Sequence, residues 1–356
     1  MRSAELSERK PGSTRVRIID GLRGIALLCM VFAHFLHVDT RKFDGQSILT
    51  VLRNANNLPE MFSLGLNIVA SYMAPFLFLF LTGVMAQVKF QDRAKITLQK
   101  SLLRSYRLLM YAFFVNLIMM THTYLTNSSQ DVAIHWYSLF TPNILVVILI
   151  TYWFNEWILG RMMNMYARPV KDKLILVLVM AGLLLISNIV VSDRYVLGES
   201  FVILISFYAG IFNSLLGSFF YQATGSFRAQ VKWYFFPIGG ILSVSTLIIS
   251  HPTVESIKQY NLAYYIVCSL MVPFIQSFMS YVQNRYTDHH LYKALSSLGT
   301  YSLELYVVHF LVGYGVELLV LRPFLPESIW WINIVVVIAT CYGWTVYVDH
   351  RRKRSL

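Results

Sequence analysis

Long, uninterrupted apolar runs recur along the whole length of this 356-residue chain. About 20 such residues are enough to cross the hydrocarbon core of a bilayer as an α-helix. The composition agrees, because 56% of the residues are hydrophobic, 13% are charged and the mean hydropathy is +0.55. The sequence therefore predicts an all-α polytopic membrane protein. Runs that are continuous rather than alternating argue against a transmembrane β-barrel.

The basic residues predict how the helical bundle is oriented. The apolar runs give about ten transmembrane helices, at roughly 20–38, 63–88, 104–125, 138–160, 174–191, 201–222, 233–250, 261–283, 301–320 and 329–348. With the N-terminus inside, most of the 30 Lys and Arg residues fall in cytoplasmic segments, which satisfies the positive-inside rule. Both termini are then cytoplasmic, and the formal charge of +12 reflects orientation rather than nucleic-acid binding.

We expect one domain over residues 1–356, with a cytoplasmic tail at 1–17 and a basic cytoplasmic tail at 349–356. Three cysteines, Cys29, Cys268 and Cys341, lie inside apolar runs. Their odd number and apolar settings argue against a disulfide framework and against a zinc cluster, so we expect no metal. The sequence also has no P-loop, H-E-x-x-H, G-x-S-x-G or EF-hand motif.

The first apolar run, IDGLRGIALLCMVFAHFLHVD at 19–39, carries polar residues inside a segment that can cross a membrane. Arg23 and His34 are separated by close to three full helical turns, a rise of roughly 16 Å, so they share nearly one face. Asp20 extends this polar stripe by one turn. Ionisable groups within a span face the protein interior and are functional by default. The plainer alternative is that Asp20 and Arg23 form an ion pair and that His34 makes only a structural hydrogen bond between helices.

A second polar signal lies where the third span leaves the cytoplasm. Lys100, Arg104 and Arg107 are spaced i, i+4 and i+7, so they share one helix face. Clustered cations suit a phosphate-rich anion, which guanidinium groups bind bidentately. Positive-inside orientation with lipid headgroup contact explains the same cluster without a ligand. Near the inner end of the fourth predicted span, Glu156 is expected to snorkel or to pair with Arg161.

The ninth predicted span places three ionisable residues, Glu304, His309 and Glu317, in one apolar segment. Such groups indicate a cavity or a pathway, with a structural helix–helix network as an equal competitor. His122 lies at the outer end of the third span. It could line an outer vestibule, or it could simply be a solvated interfacial residue.

Four segments resemble motifs of the transmembrane acyltransferase superfamily, which includes acyltransferase family 3 and heparan-α-glucosaminide N-acetyltransferase-like proteins. They are IDGLRG at 19–24 with His34 following, MAPFLFLFLTGVMAQ at 73–87, LLRSYRLL at 102–109 and LGTYSLELYVVHF at 298–310. The order of these motifs and the ten-span topology make the resemblance specific to the superfamily.

The resemblance implies an enzyme that moves an acyl group, expected to be acetyl, from cytoplasmic acyl-coenzyme A to an outer acceptor. The acceptor is a hydroxyl or amine, expected on a glycan or glycolipid. Lys100, Arg104 and Arg107 would hold the coenzyme A phosphates at the inner surface, together with Arg23. The rise from Arg23 to His34 is comparable to an extended pantetheine arm. His34 would then act as general base or as an acyl-carrying nucleophile, and Arg23 and His34 are the catalytic candidates.

Asp20, Glu304, His309 and His122 are the further candidates for a substrate cavity. The expected partners are acyl-coenzyme A, the outer glycan or glycolipid and membrane lipid, with no nucleic acid, and a homodimer is left open. The expected location is a bacterial cytoplasmic membrane. The alternative function is a secondary transporter or flippase for an anionic solute or lipid. It would use the same buried charges as a pathway, although we find no inverted repeat.

Overall fold

The computed structural model describes residues 17–36, 58–91, 98–126, 143–190, 210–219, 221–222, 290–324 and 331–354. All regular secondary structure in these ranges is helical, as predicted. The helices are α1 (Arg17–Phe35), α2 (Leu58–Gln91), α3 (Leu98–Thr126), α4 (Ile144–Trp153), α5 (Val170–Val190), α6 (His290–Thr300), α7 (Ser302–Val316) and α8 (Ile332–Arg354). A π-helix at Phe154–Met162 continues α4, and another at Glu317–Leu321 continues α7 and leads into a helical turn at Arg322–Phe324. A 3-10 turn at Met165–Ala167 precedes α5, and residues 210–219 are also helical.

Five of the described helical stretches are long and apolar enough to cross a membrane. They are Met73–Phe90, Leu98–Thr126, Ile144–Met162, Ser302–Leu321 and Ile332–Arg351. These five fall at the second, third, fourth, ninth and tenth predicted spans, and α1 and α5 lie at the first and fifth. The predicted spans at 233–250 and 261–283 lie outside the described residues, as do Cys268 and most of the N-terminal tail. The count of ten spans and the cytoplasmic position of both termini stay predictions.

The start of α4 differs from the predicted start near 138, because Asn143 caps this helix. The Asn143 backbone is extended, and its side-chain oxygen accepts hydrogen bonds from the Leu145 and Val146 amides at 3.0 and 3.4 Å. Its side-chain nitrogen donates to the Ala112 carbonyl oxygen, 3.0 Å away on α3. One asparagine thus satisfies the first amides of α4 and joins that helix end to α3.

Helix α1 is the centre of the described bundle, since it contacts α2, α6, α7 and α8. Leu27, Val31 and Phe35 lie in an apolar cluster with side chains of α6, α7 and α8. Met30 belongs to a second cluster, formed with side chains of α2, α3, α4 and α7. At 100° per residue, the face that carries Met30 is also the face of Arg23 and His34. The polar stripe of α1 therefore runs along the second cluster.

Glycines allow α1 and α6 to pack backbone against backbone. A Cβ added at Gly24 would overlap the Leu295 carbonyl oxygen, and one added at Gly299 would overlap the Asp20 carbonyl oxygen. Small residues at helix interfaces allow this close approach in membranes, where packing rather than the hydrophobic effect joins helices. The second glycine of IDGLRG therefore has a structural role beside Arg23.

We expect Gly299→Ala to destabilise the protein, by roughly 1–3 kcal/mol, because the added methyl group must push α1 and α6 apart. Gly315→Ala is the matched control, since a Cβ there meets nothing within 4 Å. The control should leave stability unchanged or raise it by the helix-propensity difference of roughly 1 kcal/mol. The thermal unfolding midpoint of the purified protein in detergent measures both. Equal midpoints for the two variants would contradict the close packing.

A buried polar cluster joins the end of α2 to the start of α5. The Lys173 side chain has no exposed surface, and its ammonium donates a hydrogen bond to the Gln87 side-chain oxygen at 2.6 Å. The Ser218 hydroxyl donates to the same oxygen at 3.0 Å, and the Lys173 ammonium lies 5.4 Å from the centre of the Tyr166 ring. Burial lowers the pKa of Lys173 to about 8. The cluster therefore holds the Lys173 amine between the end of α2, the start of α5 and the helical residues 210–219.

Candidate active site

A cavity of about 230 Å³ lies among α1, α2, α3, α4 and the junction of α6 with α7. It is at the end of the bundle where α2 ends and α3 begins, which the charge distribution predicts to be cytoplasmic. Its charged lining residues are four cations and two carboxylates, namely Arg23, Lys89, Arg104, Arg107, Glu156 and Glu304. Since the cations outnumber the carboxylates, the cavity suits an anionic ligand.

Two guanidinium groups of α3 supply the surplus positive charge. The Arg104 guanidinium lies over the Tyr152 ring, 4.5 Å from its centre, which fixes it by a cation–π contact. Arg107 is one turn further along α3 and is exposed. Among the residues that the structure describes, no carboxylate forms an ion pair with either arginine. Both remain available to bind a ligand anion.

The Glu156 carboxylate organises one wall of the cavity. It accepts a hydrogen bond from the Lys89 ammonium at 2.9 Å and another from the Ser101 hydroxyl at 3.0 Å. The Ser101 hydroxyl is also 3.2 Å from the Tyr152 hydroxyl, so the ring beneath Arg104 belongs to the same network. The predicted pairing of Glu156 with Arg161 is therefore wrong, because a cation from another helix lies closer.

Arg161 itself packs elsewhere, with its guanidinium 4.0 Å from the centre of the Trp157 ring. Both residues lie in the π-helix that follows α4. Lys89, in contrast, was missed as a lining residue by sequence reasoning. The available signal was its position at the end of the second apolar run, where a side chain can reach back into the bundle.

Arg23 lines the cavity and also pairs with Asp20. The Arg23 guanidinium is 3.3 Å from the Asp20 carboxylate, which is buried. The Asp20–Arg23 ion pair that the plainer alternative predicts is therefore present. Arg23 lines the cavity as well. Asp20 does not line the cavity, and its carboxylate contacts the lining residue Arg23 through this ion pair.

Lys100 does not line the cavity, although it shares a helix face with Arg104 and Arg107. It lies in the first turn of α3, which begins at Leu98, and its side chain is exposed. The two arginines lie one and two turns deeper in the same helix. The cationic wall therefore consists of Arg23, Lys89, Arg104 and Arg107 rather than the predicted set with Lys100.

His34 lies in the last turn of α1 and is not among the residues that line this cavity. Its imidazole is exposed, and its ring centroid is 4.6 Å from that of Phe310 and 5.8 Å from that of His309. On α7 the cavity lining ends at Tyr306, one helical turn before Phe310. His34 therefore lies past the last α7 residue of the cavity lining, next to Phe310.

His309 is fully buried next to His34. Its Nδ1 lies 3.2 Å from the Leu305 carbonyl oxygen. A carbonyl oxygen only accepts, so Nδ1 carries the proton and Nε2 offers a lone pair. Among the described residues, Nε2 has no hydrogen-bond partner. His309 is thus a second imidazole at the level of His34 and, like it, lies outside the cavity lining.

The two candidates at the opposite end of the bundle lie together. His122 Nε2, near the end of α3, is 3.2 Å from a Glu317 carboxylate oxygen. The His122 ring also stacks on Tyr314, with centroids 4.2 Å apart. Neither His122 nor Glu317 lines the basic cavity. Of the ionisable α7 residues singled out from the sequence, Glu304 does line it. Within the described ranges, no group of side chains could hold a metal ion.

The comparison with known protein families decides what kind of protein this is. A family model described as an acyltransferase domain matches residues 16–348, a range that contains every residue lining the cavity. The chain belongs to acyltransferase family 3. The predicted resemblance is confirmed, and this acyltransferase is an integral membrane protein with several apolar helices. None of the curated proteins matches the chain.

Proposed function

We propose that this acyltransferase transfers an acetyl group from cytoplasmic acyl-coenzyme A to a glycan or glycolipid at the outer face of a bacterial cytoplasmic membrane. The observation that supports this proposal best is the cavity with Arg104 and Arg107, neither of which has a carboxylate partner among the described residues. Coenzyme A is a polyanion through its pyrophosphate and its 3′-phosphate. A cationic cavity at the predicted cytoplasmic end matches that charge.

Arg104 and Arg107 are the groups that bind the donor phosphates. They lie three residues apart on one helix, so both guanidinium groups can contact one pyrophosphate or two neighbouring phosphates. Tyr152 holds Arg104 before the ligand arrives, which reduces the entropy lost on binding. Arg23 and the Lys89–Glu156 pair complete the charged wall.

The pantetheine arm then extends along α1 from Arg23 toward His34, over a rise of roughly 16 Å. His34 accepts the proton of the acceptor hydroxyl or amine while that atom attacks the thioester carbonyl. The carbon–sulfur bond breaks, and the leaving thiolate takes the proton from the His34 imidazolium to give coenzyme A. Transfer by way of an acyl-histidine uses the same group as nucleophile and the same position in the bundle. The exposed side of His34 is where the acceptor arrives.

Binding of coenzyme A to the purified full-length protein tests this function. We expect isothermal titration to show binding of coenzyme A, with weaker binding of dephospho-coenzyme A, which lacks the 3′-phosphate. We also expect release of free thiol from acetyl-coenzyme A in membranes that contain the native acceptor. A folded protein that binds neither compound would contradict the proposed donor, and so would transport of an anion without thiol release.

A further inference from the structure

An aromatic side chain recurs at every fourth residue on one face of α7. Tyr306, Phe310 and Tyr314 form a row in which neighbouring ring centroids are 5.5 and 5.7 Å apart. Residues four apart lie one above the other on a helix, so the row runs along its axis. Tyr306 lines the basic cavity, and Tyr314 stacks on His122 at the other end. Phe310, the middle ring, lies between the two ends of the bundle.

Among the described residues, Phe310 is also the aromatic ring nearest to both imidazoles. Its centroid lies 4.6 Å from that of His34 and 4.3 Å from that of His309. The side chain is 1% exposed, so other side chains surround it closely. It contacts both Tyr306, which lines the cavity, and His34, so it links the cavity lining to the imidazole. A donor that enters from the cavity must therefore bring its reactive end against the Phe310 ring.

Resting on the proposed function, we propose that Phe310 is a specificity-determining residue that restricts the donor to short acyl groups such as acetyl. The thioester carbonyl must approach to about 3–3.5 Å of the attacking atom, which His34 activates. The carbons beyond that carbonyl then lie where the Phe310 ring packs. Because protein interiors are packed as densely as organic crystals, each added methylene must displace that ring.

The test compares the dissociation constants of acetyl- and hexanoyl-coenzyme A for the full-length protein in detergent. Wild-type protein should bind the acetyl donor more tightly. Phe310→Ala should shift the ratio of the two constants toward the hexanoyl donor by roughly tenfold or more, as expected when an apolar pocket gains room for methylenes. Phe310→Leu keeps more of the side-chain volume and should shift the ratio in the same direction by less.

Phe76→Ala is the matched control. Phe76 is as buried as Phe310 but lies on α2, packs on Phe80 and does not line the cavity. This variant should leave the ratio unchanged. An unchanged ratio in folded Phe310→Ala and Phe310→Leu, or an equal shift in the Phe76 variant, would overturn the inference and leave the proposed function intact. Wild-type protein that binds neither acyl-coenzyme A would instead overturn the proposed function, and the inference with it.

Discussion

His34→Ala is expected to lower kcat for acyl transfer by about 10²- to 10⁴-fold, the usual contribution of a positioned acid or base. The dissociation constant for coenzyme A should change little, because His34 does not line the cavity. Thiol release in membranes that supply the native acceptor gives kcat, and titration of the purified protein gives the dissociation constant.

His350→Ala is the control for this variant, since His350 is an exposed histidine near the end of α8, away from the cavity lining. It should behave as wild type in both measurements. Unchanged turnover in folded His34→Ala protein would remove the imidazole from the mechanism. A large loss of coenzyme A affinity in the same variant would place His34 in the donor site instead.

Arg104→Ala and Arg107→Ala are each expected to raise the donor KM by roughly 10- to 100-fold. A hydrogen bond to a charged group contributes about 1.5–3 kcal/mol, and each arginine is assigned one phosphate contact of this kind. The KM for the acceptor should stay nearly the same, since the proposed acceptor site lies at the His34 end of the proposed donor route. The Arg107 effect should weaken in high salt more than the Arg104 effect, because Arg107 is the exposed one.

Lys100→Ala is the matched control for the two arginines. Lys100 is on the same helix, and the same face by spacing, but it is exposed and does not line the cavity. Its loss should leave the donor KM near the wild-type value. The donor-phosphate role would be contradicted if Lys100→Ala had the largest effect, or if the arginine variants raised the donor and acceptor KM values equally.

The positions of α1 to α5, α7 and α8 could be predicted from the sequence, because a membrane requires long apolar runs and a helix satisfies its own backbone. Helix α6 lies between two predicted spans and was not predicted. The exact ends depended on local caps. Asn143 caps the start of α4, and its hydrogen bond to the Ala112 carbonyl oxygen on α3 has no signature in the periodicity. The common face of Arg23 and His34 followed from helical geometry alone.

The partners of charged groups could not be read from periodicity, since they come from different helices. Glu156 pairs with Lys89, which is 67 residues away in sequence, instead of its neighbour Arg161. Lys100 fitted the helical spacing of the arginines, but the first turn of α3 lies outside the cavity. Helical spacing shows which residues share a face, whereas packing against other helices decides how deep each one lies.

The aromatic residues of the α7 row are four apart in the sequence. This spacing is also typical of any buried helix face, so it does not by itself indicate a functional site. The relation of the row to His34 depends on the packing of α7 against α1, which Gly313 permits because its missing side chain leaves room for the Phe35 ring. The fold thus brings Tyr306 of the cavity lining, Phe310 and the two imidazoles next to one another. The path from the cavity past these side chains is the route we assign to the donor.

A structure determined with bound acetyl-coenzyme A tests this route most directly. The account predicts the donor phosphates within hydrogen-bonding distance of Arg104 and Arg107, with the thioester beside His34 and the acetyl methyl group against Phe310. A donor bound away from this cavity, or one whose thioester points out of the bundle and away from His34, would contradict it.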